Sequence, residues 1–311
     1  SYSITIKRRK LKESMNNNRS QPWQWVPSLY FTEGIPYFIV NSVALLMYKR
    51  CGLSDGECAL YASWLSLPWV IKPLWSPIVE ILKSKQWWIV AMEMIMAIAL
   101  AGVAFTLPTP YYVQLTMAFF FLIAFSSATH DIAADGFYME ALDERQQAMN
   151  VGVRSIFYRL SKVVSEGQLI MFIGSLEVYT RSAFTAWSLG LGAVALLLAL
   201  ATLYHWVVLP KRTTSSENTG TFVQNKAVFD EKQPTFVDET ERGENLRGAM
   251  KEFADTFVSF FKKPGILMAI TFLLLYRLPE AILTKICPLF LTEKVSLGGL
   301  GLSTSEYGLA Y

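Results

Sequence analysis

Apolar segments long enough to cross a lipid bilayer recur along most of the chain, and they constrain the fold more than any other feature. A membrane-spanning helix needs about 20 predominantly apolar residues. Seven segments meet that requirement, at 23–48, 59–82, 87–107, 111–134, 151–174, 183–209 and 264–291, and an eighth begins near Ser303. Charged residues make up only 17 % of the chain, against about 25 % in an average soluble domain. We therefore predict an all-α membrane protein.

The spacing of these segments suggests how they are organised. Most connectors are very short, so consecutive helices should lie antiparallel in a bundle. One long polar connector follows the sixth segment, as in transporters built from two six-helix halves with the substrate site between them. We predict a basic N-terminal segment at 1–22, a six-helix N-terminal bundle at 23–209, a linker at 210–263 and the start of a C-terminal bundle at 264–311. Because the chain stops inside an apolar pattern, we expect an N-terminal fragment.

Basic residues indicate how the chain crosses the membrane. Lys and Arg concentrate in the N-terminal segment and in the connectors after the second and sixth apolar segments. Cytoplasmic loops carry such an excess, so the N-terminus is predicted to be cytoplasmic. The stretch 246–264 places phenylalanines near helical spacing beside lysines. It predicts an amphipathic helix on the inner membrane surface or, alternatively, a cytoplasmic extension of the seventh helix.

The composition argues against several other classes of protein. The formal net charge is only +3 and no compact basic patch with stacking aromatics is present, so nucleic-acid binding is not expected. Three cysteines without a Cys-x-x-Cys motif indicate neither a metal site nor a disulfide framework, although Cys51 and Cys58 could pair in an oxidising compartment. We predict no cofactor and no metal, and the oligomeric state stays open.

Ionisable residues inside the apolar segments are the strongest functional signal. They are Glu33 in the first segment, Arg159, Lys162 and Glu166 in the fifth, and Arg277 and Glu280 in the seventh. A charged side chain at the centre of a membrane helix costs on the order of 2.5–3.5 kcal/mol, so such residues normally face the bundle interior or a wet cavity. We expect these charges to converge on a polar path, with internal salt bridges such as Lys162–Glu166 as the alternative.

Each of these charges has a predicted role. Arg offers forked donors to a carboxylate or phosphate, so we assign substrate binding to the set Glu33, Arg159, Lys162 and Arg277. A carboxyl group in a low-dielectric environment binds a proton more readily than one in water, so we assign proton coupling to Glu33, Glu166 and Glu280. Gly34 and Pro36 are expected to soften the helix beside Glu33.

A second cluster of charges lies at the predicted cytoplasmic end of the fourth segment. His130, Asp131 and Asp135 fall within two turns of helix there, with the two aspartates on one face. Catalysis by this group is conceivable, but the sequence places no third ligand or partner for it. We instead predict a charge network that acts as a gate, with Lys72, Lys83 or Arg154 as partners of the aspartates.

Four motifs carry a resemblance to a known family. They are "SLYFTEGIPY", "ALYASWLSLPWVIKPLWSPIVE", "FSSATHDIAADGFYMEAL" and "LLYRLPEAIL". Together they resemble the AmpG-like permease branch of the major facilitator superfamily. The resemblance implies a major facilitator helical bundle and a bacterial inner-membrane permease that imports anhydro-muropeptides coupled to the proton gradient. It also adds Glu80 to the gating set, at a position where this branch usually has aspartate.

The sequence therefore predicts a secondary active transporter, not an enzyme. Its expected partners are membrane lipids, a small polar solute and protons, and its expected location is the plasma (inner) membrane, which it would cross several times. The solute is expected to be an anhydro-muropeptide or a related cell-wall sugar-peptide. A sugar or acyl-CoA carrier of the same superfamily, a membrane receptor without flux and a membrane-embedded enzyme that uses His130 and Asp131 are the alternatives.

Overall fold

The computed structural model describes residues 21–210 and 257–310, together with positions 248, 251 and 255. The predicted basic segment up to residue 20 and most of the predicted linker, including the start of its amphipathic stretch, lie outside the described residues. Within the described ranges the regular elements are helices, and five of them are long and apolar enough to cross a membrane. The described part of the chain is that of an all-α membrane protein, which agrees with the predicted helical bundle.

The main helices follow the predicted apolar segments. Their bounds are α1 (Pro22–Arg50), α2 (Asp55–Leu65), α3 (Leu67–Ile71), α4 (Ser76–Leu82), α5 (Lys85–Thr106), α6 (Tyr112–Ala141), α7 (Glu144–Lys162), α8 (Leu169–Thr180), α9 (Ala183–Val208), α10 (Ile266–Thr292) and α11 (Thr304–Ala310). The five spanning helices are α1, α5, α6, α9 and α10. Cys51 and Cys58, the pair considered for a disulfide, are free thiols.

The predicted second and fifth spans differ from the other five. The second is divided into α2, α3 and α4, with a 3₁₀ turn at Lys72–Leu74. Three prolines explain the division, because proline cannot donate a backbone hydrogen bond inside a helix; they are Pro68, Pro73 and Pro77. The fifth consists of α7 and α8 joined by a π-helical turn, Val163–Gln168. Its charged residues give it less apolar character than a typical spanning helix.

Helix α1 packs against α6 and α7, while α5 packs between α6 and α9. Gly34 allows the close contact of α1 with α7, since a Cβ atom there would lie 1.9 Å from Ser161 Oγ. The expectation that Gly34 and Pro36 soften the helix at their own positions is wrong. The backbone stays α-helical through Gly34 and Pro36, and the distortion is a π turn at Ile39–Val43.

Helix α10 is buried against the other helices only near its C-terminal end, whereas α11 packs mainly against α8 and the turn before it. Most of α10 is exposed, and its buried residues are Pro288, Leu289 and Thr292. Glu293, which follows α10, forms an ion pair with Lys49 at the end of α1. Helix α11 packs on α8 so closely that a Cβ atom on Gly308 would lie 2.6 Å from the backbone nitrogen of Met171.

Candidate functional site: a buried carboxylate cluster

Three carboxyl groups meet inside the bundle, one from α1 and two from α6. Ligand oxygens of Glu33, Asp131 and Asp135 all lie within 4.8 Å of one another. Only 7 % of Glu33 is exposed, and its Oε2 atom has no hydrogen-bond partner among the described residues. Carboxylates this close to one another repel, so a proton on one of them relieves the repulsion.

Positive groups compensate two of the three carboxylates. Lys72, in the 3₁₀ turn between α3 and α4, forms an ion pair with Asp131. On α7, Arg154 Nη2 lies 2.5 Å from Asp135 Oδ1. The Tyr30 hydroxyl donates to the same Asp135 oxygen at 3.3 Å, and the Arg154 guanidinium stacks 4.4 Å from the centre of the Tyr30 ring. These contacts tie α1, α6 and α7 together around the cluster.

Two cavities adjoin the cluster, and Glu33, Asp131 and Tyr158 line both of them. One cavity has a volume of about 250 Å³ and also exposes Tyr37, Trp69, Lys72 and Ser127. The other has a volume of about 320 Å³ and also exposes Arg154, Ser155 and Arg159. The carboxylates therefore border both a cavity with aromatic walls and a cavity lined by two arginines.

This arrangement suits the reversible binding of a small positive charge. Three like charges this close repel one another strongly where the dielectric constant is low. Lys72 and Arg154 each neutralise one carboxylate, which leaves the charge of Glu33 to be balanced. Since both cations already occupy carboxylate oxygens, a proton fits the remaining position better than a metal ion.

The structure brings together part of the predicted site. Glu33 and Arg159 line one cavity, and Asp131 and Asp135 have Lys72 and Arg154 as ion-pair partners. The role of these pairs as a gate stays a prediction. Glu80 is 63 % exposed in its side chain and lies apart from them, with its Oε1 atom 3.9 Å from Lys85 Nζ.

Lys162 and Glu166 form a separate pair. Lys162 Nζ lies 3.7 Å from Glu166 Oε2, and Glu166 is buried. Neither residue lines the two cavities beside Glu33. The predicted convergence of all these charges on one pocket is therefore corrected: the fifth segment divides its charges between the carboxylate cluster and a second location.

Arg277 and Glu280 also lie away from the cluster, contrary to the predicted convergence. Their side chains are 70 % and 64 % exposed, and Arg277 Nη1 lies 2.5 Å from Glu280 Oε2. The two residues are three positions apart on an exposed stretch of α10, so each neutralises the other instead of a charge on α1. In the seventh segment it is Lys285 that reaches the bundle, where its Nζ donates to the backbone oxygen of Asn41 at 2.7 Å.

His130 belongs to a buried network that the sequence analysis missed. Glu93 Oε1 lies 2.7 Å from His205 Nδ1 and 3.3 Å from His130 Nε2, and all three residues are at most 1 % exposed. His205 Nε2 lies 3.0 Å from the Ser28 hydroxyl of α1. The network joins α1, α5, α6 and α9, so His130 faces the bundle core while Asp131 faces the cavities. A single glutamate inside the apolar stretch "WWIVAMEMIMAIAL" was the available signal.

Comparisons with known proteins agree with the motifs. The model of a family described as the BT1 family matches residues 33–170, which include the carboxylate cluster and its cations. The anhydromuropeptide permeases of Escherichia coli K12 and O157:H7 are each 25 % identical over 144 residues, or 45 % of this chain. An uncharacterized protein of Schizosaccharomyces pombe is 26 % identical over 145 residues, or 42 % of this chain. These matches confirm the resemblance to the AmpG-like permeases.

The similarity is partial in length. The matched stretch covers 29 % of each anhydromuropeptide permease and 28 % of the fission yeast protein, so it spans less than a third of these relatives. No solved structure matches the chain.

Proposed function

We propose that this chain acts in a secondary active transporter that imports anhydromuropeptides, or related cell-wall sugar-peptides, by proton symport. One observation carries the proposal: a buried carboxylate cluster, in which one Glu33 oxygen has no hydrogen-bond partner among the described residues, borders two cavities inside a membrane bundle. Ionisable groups in such positions are costly, and in membrane proteins they typically belong to substrate or proton pathways.

The proton is assigned to Glu33. Its carboxyl is buried, lies beside Asp131 and forms no ion pair with any residue that the structure describes, whereas Asp131 and Asp135 each have one. A proton on Glu33 removes one negative charge from the cluster, and its release restores the repulsion among the three carboxylates. Substrate binding that favours one of these two states would couple the solute to the proton.

The lining of the cavities supports a sugar-peptide as the solute. Small-molecule sites usually combine apolar and aromatic walls with a few placed polar groups. Tyr37, Trp69 and Tyr158 supply aromatic faces for sugar rings. Arg159, in the other cavity, offers a forked guanidinium that suits the carboxylate of a peptide. The relatives whose names state an activity are permeases for such a solute, which favours transport over an enzymatic reaction.

The ion pairs at the cluster supply the proposed gate. Lys72–Asp131 joins the broken second span to α6, and Arg154–Asp135 joins α7 to α6. Separation of these helices breaks both pairs, so the pairs stabilise one conformation of the bundle over another.

A cytoplasmic N-terminus and a location in the plasma (inner) membrane belong to the same proposal.

Uptake into proteoliposomes that contain the full-length protein tests the proposal. Labelled anhydromuropeptide should accumulate when the outside is more acidic, and a protonophore should abolish accumulation. Arg159→Met should raise the concentration for half-maximal uptake by about tenfold, equivalent to about 1.4 kcal/mol of binding free energy. The control variant Lys294→Gln changes an exposed charge after α10 and should transport normally.

Other outcomes would contradict specific parts of the proposal. Uptake of simple sugars or acyl-CoA in place of the muropeptide would establish another carrier of the superfamily. Uptake that ignores the pH gradient would remove the proton from the mechanism. A wild-type protein that moves none of these solutes would point to a receptor.

A further inference from the structure

Two distorted helices meet away from the carboxylate cluster. The π turn of α1, Ile39–Val43, contacts the π turn that joins α7 to α8, Val163–Gln168. In each turn a backbone N–H donates to the carbonyl five residues earlier, Ala44 to Ile39 and Leu169 to Val164. Such turns within α-helices occur frequently at functional sites.

Glu166 lies in the second of these turns with an incomplete set of partners. It is 2 % exposed, and it interacts with Ser42 in the facing π turn. Its Oε2 atom lies 3.7 Å from Lys162 Nζ but accepts no hydrogen bond from the residues that the structure describes. The hydroxyl of the adjacent Ser165 is buried and likewise lacks a partner within the described ranges.

Lys285 brings a second positive charge to this location from α10. Its ammonium group donates to the backbone oxygen of Asn41, inside the π turn of α1, and interacts electrostatically with Glu166. The Asn41 side chain in turn accepts from Ser66 Oγ at 2.7 Å, at the point where α2 ends. Thr284 and Ile286, the neighbours of Lys285, are exposed, so Lys285 is turned toward the bundle on an otherwise open stretch of helix.

The other groups near Glu166 do not substitute for the positive charge of Lys285 when α10 moves. Tyr37 of α1 and Tyr158 of α7 interact with Glu166 but are neutral phenols. Lys162 is on the same helical stretch as Glu166 and is 48 % exposed, so it stays with Glu166 when α10 moves. Helix α11 also packs on this π turn; its titratable groups are Tyr307 and Glu306, and Glu306 accepts hydrogen bonds from Ser303.

We infer that Lys285 is a second counter-ion of Glu166, beside Lys162, and that it couples proton binding at Glu166 to movement of α10 away from α1 and α7. A buried carboxylate that loses one of its two neighbouring cations is destabilised. Departure of Lys285 therefore favours transfer of a proton from water to Glu166, and return of Lys285 favours its release. By thermodynamic linkage, a proton on Glu166 equally favours the separated arrangement. The inference rests on the proposed proton-coupled transport and makes Lys285 a positioning residue for it.

Two transport assays on the full-length protein in proteoliposomes separate this role from a structural one. One measures exchange of labelled anhydromuropeptide at equal pH on both sides, and the other measures accumulation driven by a pH gradient. In Lys285→Gln, exchange should stay within about twofold of wild type while accumulation falls by about tenfold or more, the size of a typical coupling between sites. Lys285→Arg, which keeps the charge, should retain both activities.

A chemical assay tests the same inference without a solute. A hydrophobic carbodiimide modifies protonated carboxyl groups, and mass spectrometry locates the adduct. Modification of Glu166 at neutral pH should increase several-fold in Lys285→Gln and stay at the wild-type level in Lys285→Arg. Unchanged modification, or equal loss of exchange and accumulation, would overturn the inference. If the proposed function itself is wrong, wild-type protein will show neither exchange nor accumulation, while the modification result still decides the role of Lys285.

Discussion

Replacement of Glu93 by leucine tests the buried histidine network most sharply. Glu93 Oε1 is the shared acceptor of His205 Nδ1 and His130 Nε2, at 2.7 Å and 3.3 Å. Thr32 also contacts this oxygen, but its hydroxyl has backbone acceptors on α1 as alternatives. Glu93→Leu therefore leaves two fully buried imidazole nitrogens without their partner.

The cost follows from the number of groups left unpaired. Each buried polar group that loses its hydrogen-bond partner costs about 1–3 kcal/mol, so the variant should lose about 2–6 kcal/mol of unfolding free energy. At roughly 2–4 °C per kcal/mol for a chain of this size, the melting temperature should fall by about 4–24 °C. Glu93→Gln keeps an acceptor oxygen and should lose much less.

Thermal unfolding of the full-length protein in detergent, followed by tryptophan fluorescence, measures this loss. Trp25 and Trp187 are buried reporters on two of the helices that the network joins. The matched control is Glu80→Leu, because Glu80 is largely exposed and its ion pair with Lys85 is long, at 3.9 Å. That change should stay within about 0.5 kcal/mol of wild type. Equal melting temperatures for the two variants would refute the assignment of the network as a structural tie.

Two further predictions concern helix contacts. Gly34→Val should destabilise the bundle by about 1–3 kcal/mol, because its side chain would overlap Ser161. The control is Gly56→Ala, whose added Cβ atom meets no atom within 4 Å. Similar melting temperatures for the two variants would contradict the close approach of α1 and α7. A hydrogen bond from Lys49 holds the pKa of Glu293 below its usual range. This contact should therefore stabilise the protein near neutral pH, and the stabilisation should be lost only as the pH falls through that lowered pKa. The melting-temperature difference between wild type and Lys49→Met should therefore be constant from about pH 5 to pH 8 and shrink below about pH 4; a difference that vanished near neutral pH would contradict this sign.

The positions of the spanning helices could be predicted from the sequence, because the bilayer requires each spanning segment to be apolar and about 20 residues long. The apolar segments around α1, α5, α6, α9 and α10 each correspond to a long helix. The two π turns were not predictable from composition, since they depend on how α1 and α7 pack against each other.

The partners of the buried charges could be predicted only in part. Asp131 and Asp135 lie on one face of a helix, so a shared cationic environment follows from helical spacing, and their ion pairs with Lys72 and Arg154 agree with it. Glu93 and His205 are 112 positions apart, and no local pattern links them. Depth along α10 points to Arg277, yet it is Lys285 that reaches the bundle, because depth does not show which side of a helix faces its neighbours.

The most direct test of the proposed mechanism is the proton current that accompanies the solute. Full-length protein is reconstituted into vesicles that enclose a pH-sensitive dye, and anhydromuropeptide is added outside without any imposed gradient. Wild-type protein should acidify the vesicle interior when the solute enters, whereas Glu33→Gln should show solute exchange without acidification. Equal acidification by the two proteins, or solute entry without any proton movement in wild type, would contradict the assignment of Glu33 as the proton site.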